Sequence, residues 1–171
     1  KEAGKKLFYQ TGSIDMGAED SMVFAGSLQS CLEHDLEHEV LDSKTLNRRF
    51  PGYQMPPEIM AVFQPQGGLL VPERCIVAHT EIAQKHGATL HTNEKVQGWD
   101  ILPDERVQVT TDQGTYTAEK LVICSGAWTS KLVPTLTKKA VPERQVLIWL
   151  ETKKPEWFTP EQFPVWNALV D

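Results

Sequence analysis

The sequence lacks the features that mark membrane, exported and nucleic-acid-binding proteins. No stretch approaches the ~20 consecutive apolar residues that span a bilayer. The charged opening at residues 1–6 has no apolar run of the kind found in a signal peptide. Runs of Lys or Arg are also absent, and the formal net charge is −6. We therefore expect a cytoplasmic protein that binds neither a membrane nor nucleic acid.

Cysteine and metal-binding motifs are scarce as well. Cys31, Cys75 and Cys124 are the only cysteines, and their odd number and wide spacing favour reduced thiols over a disulfide framework. Cys31, His34 and His38 have helical spacing that weakly suggests a metal cluster, but a closed zinc site takes four ligands. We interpret these residues as a solvated helix end and predict no metal. The chain also has no Gly-x-Gly-x-x-Gly, P-loop or His-Glu-x-x-His motif.

The residues that are present predict a mixed α/β fold. Apolar residues recur at helical spacing after Ser21 and after Pro72, and Gly87 is placed to end the second of these helices. Asp42 or Ser43 can cap a short helix between them. A small antiparallel meander is predicted from the strands at residues 96–101 and 107–109, before a turn at residues 112–114. Further strands are predicted at residues 8–16, 39–41, 61–64, 69–71, 88–91, 121–124 and 145–150.

One strand end is a candidate cofactor site. Residues 121–124 form a short apolar run typical of a strand buried on both faces of a parallel sheet. Ser125-Gly126-Ala127-Trp128 follows, and Thr129 or Ser130 can cap the next helix. Ligands of open α/β sheets lie beyond the carboxyl ends of the strands, and a glycine there lets a backbone approach a nucleotide closely. A tight turn without any ligand explains the same residues, so both interpretations stay open.

The aromatic residues near the C-terminal end also have two interpretations. They can line an apolar pocket or belong to the core, and the core is the commoner place for aromatic side chains near a sheet. They are Trp149, Trp157, Phe158, Phe163 and Trp166.

Several motifs in a fixed order resemble a known family. They are Thr11-Gly12, Arg49-Phe50-Pro51, residues 62–65 with 67–70, residues 114–122 and residues 126–132. Together they resemble the middle of monomeric sarcosine oxidases and N-methyltryptophan oxidases. These belong to the FAD-dependent amine oxidases that also include D-amino acid and glycine oxidases.

The resemblance implies two interleaved domains, one with a Rossmann-like fold that holds FAD and one with an antiparallel sheet over the flavin. Residues 1–71 would lie mainly in the substrate domain, 72–136 in the FAD-binding domain, and 137–171 in the substrate domain again. The substrate-domain sheet would comprise residues 8–16, 61–71 and 145–151. The residues that correspond to cofactor contacts of the family are Val96, near the adenine, and Cys124, Ser125, Gly126 and Trp128 in the turn close to FAD. No catalytic residue and no metal ligand carries over.

The same resemblance implies a reaction, and it also implies that this chain alone does not carry it out. Family members oxidise a secondary amine such as sarcosine or another N-methyl amino acid at the flavin, and oxygen then accepts the electrons to give peroxide. The family's glycine-rich phosphate loop and its flavin-linking cysteine segment have no counterpart here. We therefore expect an internal segment that is inactive alone, binds little FAD and self-associates. The alternative is a non-catalytic binding or interaction module that retains a flavoprotein framework.

Overall fold

The computed structural model describes residues 3–169, which form two compact units. The first unit contains the chain up to Ala88 and from Leu150 onward, and the second is Thr89–Trp149. The boundaries thus fall near residues 88 and 150, whereas the sequence-based division placed them near 72 and 137. The assignment of these parts to a substrate domain and a cofactor domain stays a prediction.

The first unit is built on a four-stranded mixed sheet. Its strand order is β3 (Glu39–Asp42), β4 (Met60–Gln64), β2 (Ser13–Gly17) and β9 (Val165–Ala168). Strand β4 runs antiparallel to both β2 and β3, while β9 runs parallel to β2. The sheet is therefore not a simple meander of hairpins. Its edge strand β9 follows β2 by more than 140 residues in the chain.

Shorter elements surround this sheet. A two-stranded antiparallel pair joins β1 (Phe8–Tyr9) to β5 (Leu69–Leu70). The helices are α1 (Met22–Glu33), α2 (Ser43–Arg49) and α3 (Pro72–Lys85).

The Asp42 cap of α2 confirms a prediction, whereas the predicted cap at Thr129 or Ser130 is wrong, because the helix that begins at Thr129 has no side-chain cap hydrogen bond. The Ser21 hydroxyl oxygen accepts a hydrogen bond from the Phe24 N–H, and Asp42 Oδ1 accepts one from the Thr45 N–H at 2.7 Å. The hydrogen bonds from Thr45 hold the pKa of Asp42 below its usual value. Helix α3 starts at Pro72 and ends before Gly87, whose φ of +89° is a conformation that favours glycine.

The core of the first unit lies on both faces of the sheet. On one face, Ile14, Met16 and Phe63 pack against Leu46 and Tyr53. On the other face, Val62 packs against Phe24 and Cys31 from α1. Complete burial of a side chain such as Ile14 contributes about 1.5–3 kcal/mol. This unit therefore has a hydrophobic core of its own.

The second unit is built on a three-stranded antiparallel meander. Its strands are β6 (Val96–Ile101), β7 (Val107–Thr111) and β8 (Thr115–Ala118). The sequence predicts β6 and β7, whereas β8 is not predicted. Cross-strand pairing places Trp99, Val109 and Tyr116 on one face. A 3₁₀ turn at Gly126–Trp128 leads into the short helix α4 (Thr129–Leu132). The Trp99 indole N–H donates to the Leu132 carbonyl at 2.9 Å and ties the meander to α4.

Three strand predictions are wrong. Residues 88–91, 121–124 and 145–150 contain no strand, so the prediction that residues 145–151 belong to a substrate-domain sheet is also wrong. Val122 and Trp149 are 82% and 84% exposed rather than buried. An apolar run forms a strand only when a neighbouring backbone pairs with it, and these segments pair with no strand among residues 3–169. Strand β9 was not predicted, because its four residues follow a Pro-rich loop and show no alternation of polarity.

No helix within residues 3–169 is long and apolar enough to cross a membrane.

Candidate functional site

A cavity of about 750 Å³ in the second unit brings the predicted cofactor-contact residues together. Val96 lies at the start of β6, and the remaining predicted residues come from the segment around the 3₁₀ turn. Three further residues, Lys95, Lys131 and Leu132, line the cavity and were not predicted. The full lining is Lys95, Val96, Cys124, Ser125, Gly126, Trp128, Lys131 and Leu132.

A smaller cavity of about 200 Å³ adjoins the same residues. It shares Val96, Cys124, Ser125 and Leu132 with the larger cavity, and its other walls are apolar. Those walls are formed by Trp99, Val109, Leu121, Val122 and Ile123. The apolar face of the meander thus continues beneath the candidate site, which gives a ligand ring a hydrophobic surface on which to lie.

Local hydrogen bonds fix the turn at the mouth of the cavity. Gly126 has a φ of +50°, a left-handed conformation that costs a residue with a Cβ about 1 kcal/mol or more. The Trp128 N–H donates to the Ser125 carbonyl at 3.0 Å, and the Thr129 hydroxyl donates to the Gly126 carbonyl at 2.7 Å. A Cβ on Gly126 would meet no protein atom within 4 Å. The space over this glycine is therefore open to a ligand.

Asp112 holds the backbone of Lys95, another lining residue, in place. Its carboxylate accepts a hydrogen bond from the Lys95 N–H at 2.9 Å, and its own N–H donates to the Lys95 carbonyl at 3.1 Å. A bulge between Val96 and Gly98 follows immediately. These contacts hold the backbone that presents Lys95 and Val96 to the cavity.

Glu94, which directly precedes Lys95 in the sequence, forms its hydrogen bonds outside this cavity. It accepts hydrogen bonds from the Thr111 hydroxyl at 2.6 Å and the Tyr116 hydroxyl at 2.8 Å, and His91 Nδ1 lies 3.2 Å from it. The bonds from Thr111 and Tyr116 hold the pKa of Glu94 below its usual value, and the bond to Glu94 raises the pKa of Tyr116. These side chains line a separate cavity of about 250 Å³.

The larger cavity fits the chemistry of a dinucleotide. Trp128 is 64% exposed and offers its ring for stacking, while Val96 and Leu132 supply apolar contacts. Gly126 leaves its backbone accessible, and the only charged residues of the lining are cationic. Such a lining suits an aromatic ring system joined to phosphate groups. Contact between the predicted residues and a cofactor stays a prediction.

The residues considered as metal ligands do not converge. Cys31 is buried, and burial followed by the charge of Asp15 raises the pKa of its thiol. His34 is exposed and His38 is partly buried, and His38 Nδ1 lies 2.7 Å from the Leu36 carbonyl oxygen. Within residues 3–169, no group of three or more His, Cys, Asp or Glu residues is placed to hold a metal ion.

The aromatic residues near the C-terminal end divide between core and cavity. Phe163 stacks on Tyr53 with ring centroids 4.5 Å apart and packs against the core of the first unit. Phe158, Phe163 and Trp166 also line a cavity of about 340 Å³ in that unit. Trp149 is exposed and joins neither group. Both interpretations of these aromatics are therefore partly right.

The sequence gives only a weak indication that Lys95 and Lys131 line the larger cavity. Lys131 follows Trp128 by three residues, the spacing that places two side chains on the same side of a helical turn. Lys95 directly precedes Val96. Sequence reasoning found the turn because of its glycine, but it could not tell which solvent-exposed cations lie beside that turn.

Comparison with known proteins connects this arrangement to flavoproteins. The sequence profile of the family described as FAD dependent oxidoreductase matches residues 1–170. A monomeric sarcosine oxidase from Streptomyces avermitilis is 36% identical over 167 residues, covering 97% of this chain and 43% of the relative. An N-methyl-L-tryptophan oxidase from Yersinia pestis is 31% identical over 148 residues, covering 86% of this chain and 39% of the relative.

A solved structure agrees with these relatives. NikD, described as an unusual amino acid oxidase essential for nikkomycin biosynthesis, superimposes with a TM-score of 0.68 at 29% sequence identity. The match covers 79% of this chain and 35% of NikD. The chain spans less than half the length of the curated relatives that it matches.

Proposed function

Because this chain belongs to the family of FAD-dependent oxidoreductases, we propose that it is part of an enzyme that oxidises a secondary amine with oxygen and forms peroxide. The proposed substrate is sarcosine or another N-methyl amino acid. The observation that carries this proposal is the 36% identity to a monomeric sarcosine oxidase over 97% of the chain. The similarity to an N-methyl-L-tryptophan oxidase supports the same substrate class.

The second unit would contribute to the cofactor site. Bound FAD would supply the acceptor for the electrons of the amine, which amino acid side chains cannot provide. The chain's own residues would bind and orient it. Val96 and Trp128 would contact its rings, Ser125 would offer a hydroxyl, and Gly126 would allow close approach of the backbone. Cys124 would contact the cofactor from the same wall of the cavity.

The first unit would contribute to the substrate side. Its cavity of about 340 Å³ is lined by aromatic residues and prolines, and Thr11 adds a hydroxyl. An apolar aromatic lining suits the methyl and methylene groups of an N-methyl amino acid. The predicted assignment of residues 1–71 and 137–171 to a substrate domain is part of this proposal, except that residues 137–149 belong to the second unit.

The proposal also places the protein in the cytoplasm. Cys31, Cys75 and Cys124 are all unpaired, as suits a reducing compartment.

The test is the visible absorption of the purified full-length protein, recorded anaerobically before and after addition of an amine. We expect a flavin band that bleaches with sarcosine or with N-methyltryptophan. Glycine, which lacks the N-methyl group, is the matched control and should bleach it more slowly. A colourless protein that takes up no added FAD would contradict the proposal and would leave the non-catalytic binding module.

A further inference from the structure

We propose that the cavity of about 340 Å³ in the first unit binds the side chain of an N-methylated aromatic amino acid, and that Trp166 determines this preference. The inference rests on the proposed function and narrows its substrate class. Sarcosine has no side chain, so a cavity that suits only an apolar side chain would contribute nothing to binding it.

The lining of this cavity carries no charge. Among residues 3–169, those that line it are aromatic residues, aliphatic residues, prolines and two threonines. The carboxylate of an amino acid would lose its hydration here without gaining an ionic partner, which is unfavourable. The carboxylate must therefore bind elsewhere, and the side chain is the part of an amino acid that this lining suits.

The volume of the cavity favours a large side chain over a small one. An engineered apolar cavity of about 150 Å³ binds a molecule of benzene. The cavity in the first unit is more than twice that size, at about 340 Å³. It has room for a two-ring system such as indole, whereas a single methyl group would leave most of the space to water.

Two phenylalanine rings form one wall of the cavity, and the core of the first unit holds them. Phe163 stacks on the buried ring of Tyr53 with centroids 4.5 Å apart, and Phe158 packs against Phe163 with centroids 4.8 Å apart. The Tyr53 hydroxyl donates to the carbonyl of Pro164, the residue after Phe163. A ligand that packs against this wall does not have to order it, so less affinity is lost on binding.

Trp166 provides the aromatic surface that the protein covers least. It lies on β9, where its backbone pairs with Ile14 of β2, yet the residue is 54% exposed. The sheet thus fixes the position of the backbone while the indole ring stays available for contact. Aromatic rings favour offset-stacked or edge-to-face contacts with one another, so an aromatic substrate gains more from Trp166 than an aliphatic one.

The competing explanation is that another segment of the full-length protein covers this cavity. The chain spans less than half the length of its curated relatives, so further segments are available. A covering segment would make Trp166 part of a core. Removal of its ring would then lower stability without changing the choice of substrate, so the test measures both properties.

The experiment uses the full-length protein with bound FAD and follows oxygen consumption. We expect kcat/KM in the wild type to be about tenfold higher for N-methyltryptophan than for sarcosine, with N-methylleucine between them. Trp166→Ala should lower kcat/KM for N-methyltryptophan about tenfold and leave the value for sarcosine unchanged. Trp166→Phe should keep most of the preference because it retains an aromatic ring.

Trp149→Ala is the matched control. Trp149 is 84% exposed, belongs to the second unit and does not line this cavity. Its replacement should leave kcat/KM for both amines unchanged. Thermal unfolding of every variant provides the separate measurement of stability.

The outcomes distinguish this inference from the proposed function. A wild type that oxidises sarcosine as well as it oxidises N-methyltryptophan overturns the inference and leaves the amine oxidase intact. A Trp166→Ala variant that loses stability with an unchanged ratio of the two kcat/KM values also overturns it, in favour of a covering segment. A wild type that oxidises neither amine overturns the proposed function and the inference together.

Discussion

The two units of this chain differ in how they bury apolar side chains. Among residues 3–169, every buried hydrophobic side chain belongs to the first unit, including Ile14, Leu46 and Val62, which are 0% exposed. In the second unit, only Thr111 is buried. The first unit is thus stabilised by its own core. In the second unit, the apolar face of the three-stranded sheet instead lines cavities. A ligand that fills those cavities would add stability mainly to the second unit.

The largest expected effect tests this difference with one substitution made in both units. Val62→Ala removes methyl groups from a fully buried site, and we expect a loss of about 2–3 kcal/mol in the free energy of unfolding. Val107→Ala makes the same change on the half-buried face of the meander and should cost less than about 1 kcal/mol. Urea denaturation of both variants measures the difference. Equal losses in the free energy of unfolding would show that valine side chains in the second unit are packed as closely as those in the first.

A second prediction concerns the turn that borders the larger cavity. Gly126→Ala should cost about 1 kcal/mol of stability, because φ at this position is +50°. It should also weaken binding of ADP, which shares its adenine and both phosphates with FAD, about tenfold, since the added methyl group enters the space proposed for the ligand. Thermal unfolding and calorimetry provide the two measurements.

Gly114→Ala is the matched control for that prediction. Gly114 lies in the second unit with a φ outside the left-handed range, and an added Cβ would meet nothing within 4 Å. Its ADP affinity should equal that of the wild type. If Gly114→Ala weakened ADP binding as much as Gly126→Ala, the turn would not be the ligand-binding element.

The smallest expected effect is the pH dependence of the stability that one carboxylate contributes in each unit. Asp42 caps α2 in the first unit, and Glu94 accepts the Thr111 and Tyr116 hydroxyl groups in the second. Both have pKa values lowered by these hydrogen bonds. A carboxyl group whose pKa is lower in the folded state stabilises the protein above its unfolded pKa, about 4 for Asp and Glu. That stabilisation is lost as the pH falls through the lower, folded value.

Amide substitutions separate the two contributions. The stability difference between wild type and Asp42→Asn should shrink as the pH is lowered below about 4, and the difference for Glu94→Gln should shrink in the same range. Unfolding followed between pH 7 and pH 2 provides the measurement. A difference that stayed constant for either variant would show that the native hydrogen bonds of that carboxylate do not lower its pKa.

Local patterns in the sequence correctly predicted the helices α1, α2 and α3, the strands β6 and β7, and the glycine turn. Proline at the start of α3, Gly87 after it and Asp42 before α2 act through neighbours a few residues away, so their effects can be recognised without the fold. The glycine turn was found in the same way. The residues proposed for cofactor contact line one cavity together, although their contact with a cofactor is a prediction.

Pairing between distant segments was decided only by the tertiary structure. The apolar runs at residues 121–124 and 145–150 predict strands from composition, yet they pair with no strand in the part of the chain that the structure describes. Strand β9 has a weak pattern of its own and forms because β2 offers it an edge. The positions of Lys95 and Lys131 at one cavity likewise depend on how α4 packs near the meander. A helix cap needs only adjacent residues, whereas a strand edge or a charged pocket requires groups from remote parts of the chain to meet.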